Sequence, residues 1–215
     1  MTTVLTIDFD IIMEPDIELY NDLVGGSIYV DDLLEDHPLF NNLRANFYIY
    51  EYLTRLIIQT SKILPKENIH FIENHNEIIN YFDKKKNLIN IDHHHDICYD
   101  EDDFEKKLLF DEVGCGNWVK YLMDENLVGE YLWLTDNTSV NPDEEIADKY
   151  PHLNNLVHNV KIKLAPTDEL VICLSEPWIP YYYRGLFDIW MTICEEEKNT
   201  TYNFEKETKN EYGPS

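Results

Sequence analysis

The stretch NIHFIENHNEIINYFDKKKNLINID, residues 68–92, has the pattern that decides the fold. Its first part, NIHFIE (68–73), and its last part, NLINID (87–92), are short Ile-containing runs with the composition of buried strands. The segment between them, residues 75–85, has the apolar spacing of a helix. A strand, a helix and a strand in this order predict a βαβ unit, in which the two strands run parallel.

Strands and helices alternate in the same way along the rest of the chain. We predict further strands at residues 3–8, 130–136, 160–165 and 169–175, and helices at residues 42–62, 117–126 and 181–197. Such alternation is typical of an α/β fold, and we predict a three-layer α/β/α architecture with a mostly parallel sheet. The acidic stretch 100–107 and the Asn- and Pro-containing stretch 136–144 are predicted to be loops.

Length and composition indicate a single domain. A chain of 215 residues, 44% of them hydrophobic, can bury one sizeable core. We place this domain at residues 1–197 and predict that the polar residues 198–215 form a flexible tail. The four cysteines show no close pairing, and the chain has neither a signal peptide nor a long apolar run, which predicts a cytoplasmic protein.

The chain is strongly acidic, with 42 Asp and Glu residues against 17 Lys and Arg and a formal charge of -25. This charge argues against nucleic acid and against an anionic membrane surface as partners, since both are negatively charged. It favours a cationic partner. Acidity that serves only to keep the protein soluble is the alternative explanation.

Polar residues with metal-binding or catalytic chemistry follow several of the predicted strands. Asp8 and Asp10, His75, the DHHHD stretch (92–96) and Ser175 with Glu176 all come at or just after a strand end. In parallel sheets ligands bind at the carboxyl ends of the strands. A single strand-end Asp is more often a helix cap or a turn residue, but their joint occurrence predicts one shared site.

The DHHHD stretch has the spacing of a metal site. In extended backbone Asp92, His94 and Asp96 project to one side, while His93 and His95 project to the other. The predicted ligands are Asp8, Asp10, His75, Asp92, His94 and Asp96. Four carboxylates and two imidazoles are too many for one tetrahedral zinc ion and suit two harder ions such as manganese. A solvated turn is the alternative for the histidine triplet.

These motifs resemble those of the arginase and ureohydrolase superfamily. NIDHHHD (90–96) is similar to its D-x-H-x-D metal motif, and IENHNEI (72–78) to the turn that carries its single histidine ligand. LTIDFDIIMEPD (5–16) is similar to its D-x-D motif. CGNWVKYL (115–122) and CLSEPWIP (173–180) look most like the peptide arginases, a divergent branch that acts on arginine side chains of a ribosomally made peptide.

The resemblance implies an arginase-like fold and a centre of two Mn²⁺ ions held by the six predicted ligands. Asp8 and Asp92 would bridge the ions, and Glu176 would bind the guanidinium group, although it could equally cap or turn the chain before Pro177. The products would be ornithine and urea, and the partner an arginine-containing precursor peptide. The sequence leaves the oligomeric state open, as well as the choice between manganese and iron.

Two features depart from the family pattern. The D-x-D strand comes before the D-x-H-x-D strand, as in a circularly permuted arrangement, and the histidine that serves as proton shuttle in the family has no clear match. Asn117 is a candidate to orient the substrate, with His93 and His95 as substitute shuttles. Trp178 and the tyrosines 181–183 are candidates for a rim that contacts the peptide, or else core residues of the last helix.

Other functions fit the same motifs. An enzyme with this ligand set would alternatively act on a small guanidine, either free arginine or agmatine, or be a deacetylase-like amidohydrolase. A non-catalytic metal-binding protein is a further alternative. Four carboxylates favour two manganese ions over the single zinc ion typical of deacetylases.

Overall fold

The computed structural model describes residues 1–14, 44–97, 113–114, 116–136, 155–175 and 179–200. Its strands are Thr3–Asp8 (β1), Met13–Glu14 (β2), Arg44–Ala45 (β3), Ile69–Ile72 (β4), Lys86–Ile91 (β5), Val128–Thr135 (β6), Asn155–Leu156 (β7) and Glu169–Cys173 (β8). Its α-helices are Phe47–Ser61 (α1), Trp118–Asp124 (α2) and Arg184–Thr200 (α3). Short 3-10 helices span Phe9–Ile12, Lys66–Asn68, His75–Tyr81, Val157–Asn159 and Tyr181–Tyr183.

Six strands form one sheet in the order β4-β8-β1-β5-β6-β7, and each neighbouring pair is parallel. β2 and β3 form a separate antiparallel pair. The α/β class and the mostly parallel sheet are therefore confirmed. The two strands of the predicted βαβ unit, β4 and β5, are both present, but β8 and β1 lie between them.

Helices cover both faces of the sheet. Leu5 and Ile7 of β1 belong to a core that also contains Trp190 of α3 and residues of α1. Val4, the next residue along β1, belongs to a second core that contains Trp118 of α2. Because successive side chains of a strand point to opposite faces, the two cores lie on opposite sides of the sheet. The layers are thus helix, sheet and helix.

α1 and α3 pack side by side on one face and run in the same direction. The hydroxyl group of Tyr50 donates a hydrogen bond to the carbonyl oxygen of Leu186 (3.0 Å), and Trp190 Nε1 donates one to Thr54 Oγ1 (2.8 Å). α1 begins at Asn46, whose Oδ1 accepts hydrogen bonds from two backbone N–H groups of the first turn (3.1 and 3.2 Å). Because Tyr50 and Leu186 both belong to first turns, the amino ends of the two helices lie next to each other.

Replacing Trp190 with alanine is expected to lower the free energy of unfolding by about 3–5 kcal/mol, because a large buried side chain would leave a cavity. The indole ring is fully buried, stacks on Tyr50 (centroids 5.3 Å apart) and meets Phe9 edge-on (5.0 Å). Urea denaturation followed by circular dichroism measures the change. Ile189→Ala, at an exposed position of the same helix, is the control, with an expected change within about 0.5 kcal/mol. Equal effects of the two substitutions would contradict the packing described.

Some predicted elements differ from those observed. The predicted strand at residues 160–165 is wrong, since these residues form no strand; β7 lies just before them, at Asn155–Leu156. Val160, Ile162 and Leu164 are partly buried against the core, as their alternation suggested. Alternation reports which side chains are buried, but a strand also needs a hydrogen-bonded neighbour.

All four helix predictions change at their boundaries, and one of them also changes in type. The helix predicted at 117–126 is the shorter α2, Trp118–Asp124. The predicted helix at 75–85 is the 3-10 helix His75–Tyr81, the helix at 42–62 begins only at Phe47, and the last helix continues to Thr200. Most of the predicted loops at 100–107 and 136–144, and residues 201–215 of the tail, lie outside the described residues. Within the described ranges, no helix has both the length and the apolar character needed to cross a membrane.

Candidate metal centre

The carboxyl ends of the central strands bring the predicted ligands together. β1 ends at Asp8 and pairs on one side with β5, which Asp92 follows directly. On its other side β1 pairs with β8, with Asp8 opposite Cys173. His75 opens the 3-10 helix after β4, held there by a hydrogen bond from Asn74 N to the Glu77 carboxylate (2.9 Å).

Three carboxylates converge on one nitrogen of His75. Its Nδ1 lies 3.0 Å from Asp8 Oδ2, 3.1 Å from Asp92 Oδ2 and 3.2 Å from Asp96 Oδ2. Ligands placed at right angles about 2.1 Å from an ion are themselves about 3 Å apart. The other ring nitrogen, Nε2, lies 3.1 Å from Thr6 Oγ1. Asp8, His75 and Asp92 therefore have the spacing of ligands around a common cation. We call these three residues, together with Asp96, which contacts His75, the inner group.

A second set of ligands adjoins the first. His94 Nδ1 lies 3.4 Å from Asp92 Oδ1 and 3.6 Å from Asp10 Oδ2. We call Asp10, Asp92 and His94 the outer group. Ligand atoms of Asp8, His75 and Asp92 all lie within 4.8 Å of one another, and so do those of the outer group. Asp92 is common to both groups, with Oδ2 facing the inner group and Oδ1 facing the outer one.

The outer group is more accessible than the inner group. The side chains of Asp8, His75, Asp92 and Asp96 are at most 5% exposed, and that of Asp10 is 6% exposed. The side chain of His94 is 28% exposed. Among these six side chains, that of His94 is therefore the most exposed to solvent.

Burial of four carboxylates in one place needs positive charge. Burial, together with the charges of Asp8 and Asp92, raises the pKa of Asp10 well above its usual range. Burial and the charge of Asp92 raise the pKa of Asp96 to about 7. Burial acts the same way on Asp92, but hydrogen bonds with His75 and His94 hold its pKa well below the usual range. Burial thus favours the protonated forms of Asp10 and Asp96 unless cations bind nearby.

One oxygen atom supports a cation more directly. Asp10 Oδ1 is buried and has no hydrogen-bond partner in the described structure. A buried carboxylate oxygen without a partner is costly, and an adjacent cation would remove that cost. The donor set of Asp and His side chains therefore fits a metal ion.

Further residues hold the ligands in place. Trp118 Nε1 donates to Asp96 Oδ2 (2.7 Å), Ser175 Oγ donates to Asp8 Oδ2 (2.6 Å), and Trp133 Nε1 donates to the carbonyl oxygen of Asp92 (3.0 Å). Asn90 Nδ2 lies 3.4 Å from Asp92 Oδ2. Hydrogen bonds of this kind, from residues that are not ligands themselves, fix the orientation of metal ligands.

Most of the residues that hold the ligands in place were not predicted to belong to the site. Thr6 and Asn90 stand two positions before Asp8 and Asp92 in their strands, so the period of two would have placed them on the ligand side. Trp118 carries no comparable signal, because its approach to Asp96 depends on how α2 packs on the sheet.

Three of the four residues predicted to be catalytic lie within the described ranges, and their surroundings differ. Asn117 is buried, and its Oδ1 accepts a hydrogen bond from Gly114 N (2.9 Å). His93 lies between two acceptors, with Nε2 2.9 Å from the Met13 carbonyl oxygen and Nδ1 3.4 Å from Asp136 Oδ1. His95 is buried and accepts a hydrogen bond at Nδ1 from Ile97 N (3.1 Å). Their catalytic roles stay predictions.

Glu176 and Trp178 lie outside the described residues. The three tyrosines of the predicted rim have different exposures. Tyr181 and Tyr182 are exposed, whereas Tyr183 packs partly against the core. Tyr183 thus fits the core explanation, while the rim role of Tyr181 and Tyr182 stays a prediction.

Comparison of the chain with protein-family models, with curated proteins and with solved structures gives no match in any of the three.

Proposed function

We propose that the chain is a dinuclear manganese hydrolase that converts arginine side chains of a ribosomally made peptide to ornithine and releases urea. The observation that carries this proposal is the position of Asp92, whose two carboxylate oxygens face two different ligand groups. A carboxylate with this placement is suited to bridge a pair of ions. Pairs of ions about 3.5–4 Å apart are typical of enzymes that activate water for hydrolysis.

The ligand set favours manganese over zinc. The inner group supplies three carboxylates and one imidazole, and the outer group supplies two carboxylates and one imidazole, with Asp92 counted in both. Oxygen-rich sites suit six-coordinate manganese, whereas zinc prefers four ligands with more nitrogen or sulfur. When bound, the two ions would supply a water molecule of lowered pKa and positive charge at the reacting carbon.

The adjacency of the two motifs supports an arginase-like arrangement with permuted order. β1, which ends in the D-x-D motif, pairs directly with β5, which precedes the D-x-H-x-D motif. Since the two strands are neighbours in the sheet, their ligands meet whichever strand comes first in the chain. We infer a circular permutation of the arginase pattern on this basis.

The charge of the protein suits a guanidinium substrate. A formal charge of -25 attracts cations, and the outer group opens toward solvent at His94. We assign to Glu176 the binding of the planar guanidinium through two parallel hydrogen bonds. Its neighbour in sequence, Ser175, contacts Asp8 of the inner group, which supports this assignment. Water adds to the guanidinium carbon, the bond to the side-chain nitrogen breaks, and that nitrogen takes up a proton to become the ornithine amine.

A peptide rather than free arginine is proposed because two exposed tyrosines follow β8, the strand that pairs with β1 and its Asp8. Tyr181 and Tyr182 are in the connection that follows β8, whose carboxyl end adjoins Asp8. Exposed tyrosines bind peptides well, since their rings give contact area and their hydroxyl groups hydrogen-bond. We assign them to the peptide-binding rim.

The test offers three substrates to the manganese-loaded protein: an arginine-containing peptide, free arginine and agmatine. We expect urea, measured by colour, and ornithine, measured by mass, from the peptide. The same peptide with lysine in place of arginine keeps the charge but lacks the guanidinium, so it is the control. Urea from agmatine or arginine alone would favour the small-guanidine alternative. If the protein binds manganese and releases no urea from any substrate, the ureohydrolase proposal is wrong.

A further inference from the structure

Ser175 has an unusual backbone conformation. Among the described residues, the non-glycine positions with positive φ are Asp96 (52°), Asn126 (56°) and Ser175 (50°). Asn and Asp tolerate this left-handed region better than other residues do, whereas serine does so at a cost. Strained backbone of this kind concentrates at functional sites, because the surrounding structure must maintain it.

The serine hydroxyl contacts the inner group. Ser175 is buried, and its Oγ donates a hydrogen bond of 2.6 Å to Asp8 Oδ2. The same Asp8 oxygen lies 3.0 Å from His75 Nδ1, while Asp8 Oδ1 accepts a bond from Asp10 N (3.3 Å). Both oxygens of Asp8 are therefore held, and Ser175 supplies one of these three contacts.

The backbone at Ser175 is itself anchored. Ser175 N donates a hydrogen bond to the carbonyl oxygen of Glu73 (3.1 Å), in the segment between β4 and His75. The contact joins the end of β8 to the turn that carries His75. A glycine would adopt the same φ without strain, so the backbone alone gives no reason for a serine here.

We propose that Ser175 is a positioning residue that orients Asp8 as a metal ligand and so raises the metal affinity of the inner group. The inference rests on the proposed metal centre. Loss of a hydrogen bond that orients a metal ligand typically lowers metal affinity about 10- to 100-fold. The strained serine is explained by its hydroxyl group, which glycine cannot provide.

The test compares Ser175→Gly and Ser175→Ala with the wild type. Both variants lose the hydroxyl group, but only glycine also removes the backbone strain. Manganese affinity is measured by calorimetric titration, and the melting temperature of the metal-free protein by circular dichroism. Asn126→Gly is the matched control, because it relaxes a residue of nearly the same φ in the turn after α2.

We expect both Ser175 variants to bind manganese about 10- to 100-fold more weakly, and Asn126→Gly to bind it like the wild type. Metal-free Ser175→Gly should melt no lower than metal-free Ser175→Ala. Wild-type affinity in both Ser175 variants, whatever their melting temperatures, would overturn the inference and leave the metal centre standing. A wild-type protein that binds no manganese would overturn the proposed function, and the inference with it.

Discussion

Asp92→Ala is expected to remove both manganese ions, whereas Asp10→Ala is expected to remove only one. The difference follows from the position of each carboxylate. Asp92 belongs to both ligand groups, while Asp10 belongs to the outer group alone. At a free manganese concentration that saturates the wild type, the metal content should therefore fall from two ions to none in the first variant and to one in the second.

The inner group explains why one ion should remain in Asp10→Ala. Asp8, His75, Asp92 and Asp96 are untouched by this substitution, and their ligand atoms stay near His75 Nδ1. In Asp92→Ala the inner group keeps Asp8, His75 and Asp96. It loses the one carboxylate whose negative charge would offset the positive charge of both ions. The outer group is left with Asp10 and His94, which is too few ligands for tight binding.

Metal content is measured by elemental analysis after dialysis against buffered manganese, with calorimetry for the stoichiometry. Asp188→Ala is the control, since Asp188 is an exposed carboxylate on α3, and it should keep both ions. Binding should also raise the melting temperature, because an ion that binds only the folded state stabilises it by about 2.7 kcal/mol at 100 times its dissociation constant. Two ions retained in Asp92→Ala would mean that Asp92 is not the shared ligand.

His94→Ala is expected to slow urea release from an arginine peptide by about 1,000-fold while one manganese ion stays bound. Loss of the outer ion removes several kcal/mol of stabilisation of the reacting group, and about 4 kcal/mol corresponds to this factor. His94 is the most exposed ligand, so its truncation should disturb packing less than that of His75. The melting temperature without metal should change little.

The measurement combines initial rates of urea release with metal content and melting temperature on the same preparation. His70→Ala is the matched control. His70 is a half-buried histidine whose ring lies 4.3 Å from that of Tyr81, on β4 at the edge of the sheet. It should keep full manganese content and near wild-type turnover. Near wild-type turnover in His94→Ala would place the reaction elsewhere in the protein.

The strands of the site could be predicted from local sequence. β1, β4, β5 and β8 all lie within two residues of their predicted bounds, because each is a short apolar run with clear breaks. The ligand candidates were found for a similar reason, since a strand end and an alternation of two are local features. The segment 160–165 shows the limit of such patterns, because its side chains alternate in burial without a strand to pair with.

The sequence by itself determined the α/β class and the strand ends that carry Asp8, His75 and Asp92. The extended backbone predicted for the ligand motifs is not observed at Asp10, which lies in a 3-10 helix, or at Asp96, whose φ is 52°. Only the tertiary structure decided that β1 lies between β5 and β8, that Asp92 faces two ligand groups, and that Ser175 and Trp118 hold Asp8 and Asp96. The physical reason is the distance along the chain between the residues that interact. Apolar spacing and alternation act between residues a few positions apart, whereas strand order and the meeting of buried polar side chains depend on packing between segments distant in the chain, such as Asp8 and Ser175.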